Sequence, residues 1–166
     1  MRRNRKFIAL AAIAALSLAA IAPVVSAKPA AKRNIVQTAI AAGQFKTLTK
    51  LVTQAGLAGT LQTKGPFTVF APTDAAFAKV PKATLQALAK DKAKLRAVLL
   101  YHVAQGKITA AKVVKLHSVK TLNGQALKVR VTSHGTVTVG GARVIMADIR
   151  ASNGVIHVID KVLIPR

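Results

Sequence analysis

The sequence predicts an α+β domain behind an export leader, and three observations carry that expectation. Apolar residues recur at helical spacing from Asn34 to Leu116, and at a period of two from Val119 onward. A basic, then apolar, then small-residue segment opens the chain. The 166 residues, 52% of them apolar, suffice for the core of one domain, although there is no Trp and aromatics make up only 4%.

The leader reads MRRNRKFIALAAIAALSLAAIAPVVSA. Arg2, Arg3, Arg5 and Lys6 precede an apolar run from Phe7 to Ala22, and Val25-Ser26-Ala27 presents the small residues that a signal peptidase reads. Cleavage is expected after Ala27, delivering the chain to the periplasm, the cell surface or the medium. An uncleaved anchor is the rival, since Phe7 to Val25 approaches the ~17–25 residues that a bilayer core requires. Pro23 and the small residues behind it favour cleavage. Residues 28–33, KPAAKR, form a basic linker, and the domain occupies residues 34–166.

Within that domain Asn34 is placed to cap a helix through Ala42, with Gly43 ending it. Phe45, Leu48, Leu51, Val52 and Ala55 mark a second helix, with breaks expected at Gly56 and Gly59. Phe67 to Phe70 suits a buried strand. Pro72 to Lys79 turns into a helix capped by Thr73 or Asp74. Asp91 to Val103 carries a stripe of Leu95, Val98, Leu99 and His102, and Thr109 to Leu116 is a further short helix. Leu127, Val129 and Val131 then alternate with Lys128, Arg130 and Thr132, as in a strand with one wet face. Val137 and Val139 follow the same pattern. Arg143 to Arg150 and Val155 to Ile164 complete the strands, and Asn123-Gly124 and Gly140-Gly141 sit at hairpin turns.

Composition excludes much chemistry. The chain holds 26 Lys and Arg against four acids, Asp74, Asp91, Asp148 and Asp160, for a net charge of +22. So few carboxylates argue against hydrolysis by paired acids. The absence of Cys removes thiol nucleophiles, disulfides and thiolate zinc sites. His157 and Asp160, three apart in a strand, face opposite sides, and His117 and His134 lie near loops without acidic neighbours, so no metal site is expected. Ser118, Ser133 and Ser152 lie in no nucleophile elbow, and no glycine-rich loop suits a phosphate cofactor. No catalytic residue and no cofactor are expected.

Three segments carry a family resemblance: GPFTVFAPTDAAF at Gly65 to Phe77, LYHV at Leu100 to Val103, and NGVIHVIDKVLIP at Asn153 to Pro165. In order and spacing they resemble the signatures of the fasciclin-type domain, over about Asn34 to Arg166. The resemblance implies a wedge of two small β-sheets flanked by a group of α-helices, and a non-catalytic role in extracellular adhesion. It implies that Asp74, His157 and Asp160 belong to structural motifs. It points to Tyr101 and His102 as an adhesion pair and to Asp148 and Ile149 as a contact dipeptide. The flanks of that dipeptide, Met146-Ala147 and Arg150, differ from those of animal relatives.

Each candidate also has a structural reading. His102, on its apolar stripe, suits a buried neutral imidazole that joins two layers. Tyr101 would bury its ring and pair its hydroxyl. Asp74 would cap its own helix. The cations Lys90, Lys92, Lys94 and Arg96 exceed what solubility requires and are candidates for polyanion binding. The expected partners are extracellular polysaccharide, cell-wall polymer, or a cell-surface or matrix protein, with an anionic membrane surface as a further one. Export and the lack of base-stacking aromatics make nucleic acid a poor natural partner. A purely electrostatic polyanion binder on the same fold is the alternative function.

Overall fold

A computed structural model describes residues 33–63 and 65–165. The leader, its cleavage site and the linker through residue 32 lie outside the described residues.

Asn34 opens helix α1 (Ile35–Ala42) through a capping box with Gln37, and Gly43, at φ 71°, closes it in the left-handed conformation. Helices α2 (Lys46–Gln54) and α3 (Ala58–Gln62) follow, then strand β1 (Phe67–Pro72). Next come α4 (Asp74–Ala78), α5 (Lys82–Lys90), α6 (Lys92–Tyr101), β2 (Val103–Gln105) and α7 (Ala110–Val113). Strands β3 (Ser118–Lys120), β4 (Ala126–Val131), β5 (Val137–Val139), β6 (Ala142–Ala151) and β7 (Gly154–Ile159) finish the chain.

The seven strands order as β2-β1-β7-β6-β5-β4-β3. All neighbours are antiparallel except β1 and β7, which run parallel in register from Phe67–Gly154 to Pro72–Ile159. Strand β6, ten residues long, pairs with β5 at its start and with β7 beyond, shifting register twice between Val144 and Ile149. Such bulges bend a strand, and β6 thereby belongs to both walls of the wedge. The end strands meet through an Ala104–Thr121 bridge and a Leu122 N–H to Val103 carbonyl bond of 2.8 Å. The ladder therefore curls onto itself and leaves little unpaired edge.

Side chains of β1 and β7 alternate between two cores. Val69, Ala71, Ile156 and Val158 pack against the helices with Ile35, Phe45, Leu48, Leu95 and Leu99. Phe70 and Ile159 instead join Val119, Leu127, Val129, Val139 and Leu163 between the walls. Both strands are buried on both faces, and each large aliphatic or aromatic side chain so enclosed contributes about 1.5–3 kcal/mol. Gly154 is required where the parallel pair starts, because a Cβ there would collide with the Phe67 carbonyl oxygen.

Several boundaries differ from expectation. Gly56, at φ 70°, ends α2, but Gly59 lies inside α3 rather than breaking a helix. No residue of helix α5 is fully buried, although Leu85 packs against the helical core, and the sequence pattern missed this helix. Helix α6 stops at Tyr101, so Val103 starts a strand instead of extending the helix. The last strand ends at Ile159, and Val162 and Leu163 enter the two cores from the segment behind it.

Candidate functional site

The four carboxylates all serve backbone N–H groups. Of the two expected caps of α4, Thr73 and Asp74, it is Thr73 that serves, accepting the Ala76 N–H at 3.2 Å. Asp74 instead accepts the N–H groups of Thr47 (2.9 Å) and Lys46 (3.3 Å). It thus caps α2, whose own N-cap residue, Phe45, offers no side-chain oxygen. Partial burial raises its pKa, but the bonds from Thr47 and Lys46 outweigh this and hold it below the ordinary carboxylate value.

Asp91 caps α6 by accepting the Ala93 and Lys94 N–H groups at 3.0 and 3.1 Å. It also makes a 3.4 Å ion pair with the Lys94 ammonium, the one ion pair among the described residues. Asp148, on the second β6 bulge at φ 58°, accepts the Ala110 N–H at 2.9 Å and so caps α7, whose Thr109 makes no side-chain cap bond. Asp160 accepts the Arg143 N–H at 2.9 Å and clips the start of β6 to the end of β7. Three of the four therefore sit at helix N-termini, where negative charge is favoured.

Both buried histidines are likewise occupied. His102 follows α6, is 2% exposed, and has Nδ1 2.7 Å from the Val98 carbonyl. Its Nε2 accepts the Leu163 N–H at 2.9 Å, which fixes the neutral Nδ1–H tautomer. Burial drives its pKa down to about 4, against a smaller raising effect of the Val98 bond. His157 takes the opposite tautomer. Its Nε2–H donates to the Ile108 carbonyl at 2.7 Å, and its Nδ1 accepts the Asp148 N–H at 3.3 Å. Its ring stacks on Phe70 with centroids 5.6 Å apart.

The expected adhesion pair therefore divides. His102 points inward and Tyr101, half-buried at the last position of α6, packs against the core between the walls. No hydrogen bond of the Tyr101 hydroxyl is found among the described residues, contrary to the partner expected for it. Ile149 is also half-buried and packs on the helical core, so only Asp148 of that dipeptide is exposed. Asn153, which sequence reasoning passed over, joins three elements. Its Nδ2 donates to the Leu61 and Thr63 carbonyls at 2.6 and 3.0 Å, and its Oδ1 accepts the Ile35 N–H at 2.9 Å. Its place before Gly154 in the third signature was the available clue.

Lys90, Lys92, Lys94 and Arg96 are all exposed around the junction of α5 and α6. A second basic region lies around β4, β5 and the segment after β7. Two cavities of about 400 and 890 Å³ share Thr138, Gly141, Lys161, Val162 and Ile164, and together they make one concave track. Lys79 and Arg143 line one end of it, and Lys128, Arg130 and Tyr101 the other. Among the described residues no three His or Asp groups converge as a metal site would require, and no helix is long and apolar enough to cross a membrane.

Three comparisons bear on this architecture. An uncharacterized protein of Synechocystis is 44% identical over 131 residues, which cover 79% of this chain and 97% of the relative. The transforming growth factor-beta-induced protein ig-h3 of Sus scrofa is 37% identical over 133 residues, 80% of this chain but 19% of its own length. The solved FAS1 domain pair from the insect cell adhesion molecule fasciclin I superposes with a TM-score of 0.59 at 25% identity, covering 74% of this chain and 46% of the pair. The chain thus matches about one domain of that pair. The Fasciclin domain model matches residues 43–165, from the cap of α1 to the end of the described residues, and the chain belongs to the fasciclin-domain family.

Proposed function

We propose that this chain is an exported, non-catalytic adhesion module that engages anionic polymers outside the cytoplasm. One observation supports the electrostatic part above all. The full sequence carries +22, and removal of the leader with its four cations (22 − 4) leaves +18, while each of the four carboxylates is held by backbone N–H groups and a single ion pair forms among the described residues. Such a field attracts polyanions over about one Debye length, which reaches ~30 Å at 0.01 M salt. Family membership, and likeness to a domain of an insect cell adhesion molecule, support the adhesive part.

Anionic polysaccharide or cell-wall polymer is the favoured partner class, with anionic lipid headgroups a further target of the same field. A protein receptor that reads Asp148-Ile149 or Tyr101-His102 has less support, because Asp148, Ile149 and His102 already serve the fold. Catalysis has less still, since the carboxylates and both buried imidazoles are bonded to the backbone.

Binding of the purified protein to immobilised anionic and neutral polymers tests the proposal. Affinity for the anionic set should fall steeply and linearly in log–log form as salt rises, since neutralised charges release counterions. Equal retention on neutral and anionic polymers, with no salt dependence, would refute it.

A further inference from the structure

The track between Lys79 and Tyr101 has features that the α5–α6 face lacks. We infer that it is a binding groove for an acidic polysaccharide chain, with Lys161 at its centre and Tyr101 as the platform for one sugar ring. This rests on the anionic-polymer function proposed above and assigns it to one surface.

The sheet sets the spacing of the cations. On β4, Leu127 and Val129 point into the core, so Lys128 and Arg130 point outward. Arg130 lies opposite Thr138 of β5, and Thr138 lies opposite Arg143 of β6. Arg130 and Arg143 are therefore two strand spacings apart, roughly 10 Å, with a short threonine between them. Gly141 adds no side chain to this floor, and Gly140 is required by the core beneath it, where a Cβ would press on Leu163 and Leu127 at 2.8 and 2.9 Å. Lys161 and Ile164 rise from the segment after β7, and Ile164 is 49% exposed between the two cavities.

Charge in the track is one-sided. Lys79, Lys128, Arg130, Arg143 and Lys161 are exposed and none is ion-paired among the described residues. The lining acid, Asp160, is committed to the Arg143 N–H. A concave, basic, partly apolar surface suits a ligand that alternates anionic groups with apolar ring faces, which is the chemistry of a uronate or sulfated glycan. A flat bilayer surface would not reach into the concavity. Single-stranded nucleic acid calls for several exposed aromatics, and Tyr101 is the only Tyr in a chain without Trp.

His102 enters as a positioning residue. Its Nε2 accepts the Leu163 N–H, so it pins the segment that presents Lys161 and Ile164. The inward half of the Tyr-His pair thereby holds the floor of the cavity that half-buried Tyr101 lines.

The test compares equal charge removal at two places. A groove variant, Lys128→Gln with Arg130→Gln and Lys161→Gln, and a face variant, Lys90→Gln with Lys92→Gln and Lys94→Gln, are titrated with size-defined oligogalacturonate at low salt. The groove variant should lose affinity by about tenfold or more and the face variant by about twofold or less. Lys161→Gln alone, an exposed single change, repeats the comparison should the triple variant fold poorly. Tyr101→Leu should weaken oligogalacturonate binding by about threefold or more while leaving inorganic polyphosphate binding unchanged.

Equal losses in both triple variants would overturn the groove while leaving the general polyanion function intact. Absence of wild-type binding to any anionic polymer would overturn both. Polyphosphate bound as tightly as the glycan, with Tyr101→Leu altering neither, would overturn the glycan assignment in favour of a phosphate polymer.

Discussion

Replacing His102 by Leu removes two hydrogen bonds and one titratable group while nearly conserving volume. The Val98 carbonyl and the Leu163 N–H lose their imidazole partner in a site where His102 is 2% exposed. Each buried group left unpaired costs about 1–3 kcal/mol, so with two such groups the variant should be less stable by about 2–6 kcal/mol near neutral pH. The pH dependence separates this from general core damage. Burial lowers the folded-state pKa from 6.5 to about 4, so between those values the unfolded chain binds the extra proton. Stability from a neutral His102 is complete above the unfolded value and is lost as pH falls towards the folded one.

At about pH 4.5 the wild type should have lost roughly 2–3 kcal/mol through this residue, whereas the Leu variant has no such proton to bind. The gap between the two proteins, measured by urea unfolding at about pH 7.5 and about pH 4.5, should therefore shrink by that amount. A gap that stays constant across the interval would refute the buried neutral imidazole. An unchanged midpoint at neutral pH, combined with lost adhesion, would place His102 on a binding surface.

Three further outcomes are expected. Asp74→Ala should cost about 1–2 kcal/mol by uncapping α2, with Asp74→Asn retaining most of the stability; equal urea midpoints for Ala and wild type would count against the long-range cap. Asp148→Ala should destabilise by about 1–2 kcal/mol, because it loses the α7 cap and strains a left-handed backbone, and Asp148→Gly should recover only the backbone part. A fully stable Ala variant with reduced adhesion would restore Asp148-Ile149 as a contact motif. Intact mass of the exported protein should correspond to a chain starting at Lys28, and a mass retaining residues 1–27 would support the anchor.

Local signals were legible in the sequence and distant ones were not. Asn34, Gln37 and Gly43 announce α1 because capping box and left-handed cap act within a few residues. The alternation of Leu127, Val129 and Val131 with Lys128 and Arg130 announces β4, although Val131 at the strand end is exposed. Helix α5 was missed because it lies near the surface, and Leu85, Leu88 and Ala89 of its KATLQALAK run make only a short, half-buried stripe. The cap that Asp74 places on α2 spans 27 residues, and nothing local to Asp74 distinguishes it from a cap of its own helix. The parallel β1–β7 pair joins the first and last strands, so only the collision of a Cβ at Gly154 with the Phe67 carbonyl makes sense of that glycine. His102 was legible as a buried residue on its stripe, but its bond to Leu163 reaches across 61 positions.

The scarcity of acids links fold to function. A chain with seven helices among its described residues has many helix N-termini to satisfy, and Asn34 and Thr73 cap two of them without charge. Asp74, Asp91 and Asp148 serve three others, and Asp160 closes the strand end. A carboxylate bonded to backbone N–H groups still carries its charge, but its geometry is fixed and its lone pairs are directed inward to the backbone. Apart from Lys94, the described surface lysines and arginines then have no ion-paired carboxylate to compete with an external polymer. Adding surface Glu near Lys161 should therefore weaken polymer binding more than adding it near Lys94, which already has Asp91 at 3.4 Å. The contrast follows from where the acids are spent, and it would not arise if net charge alone governed binding.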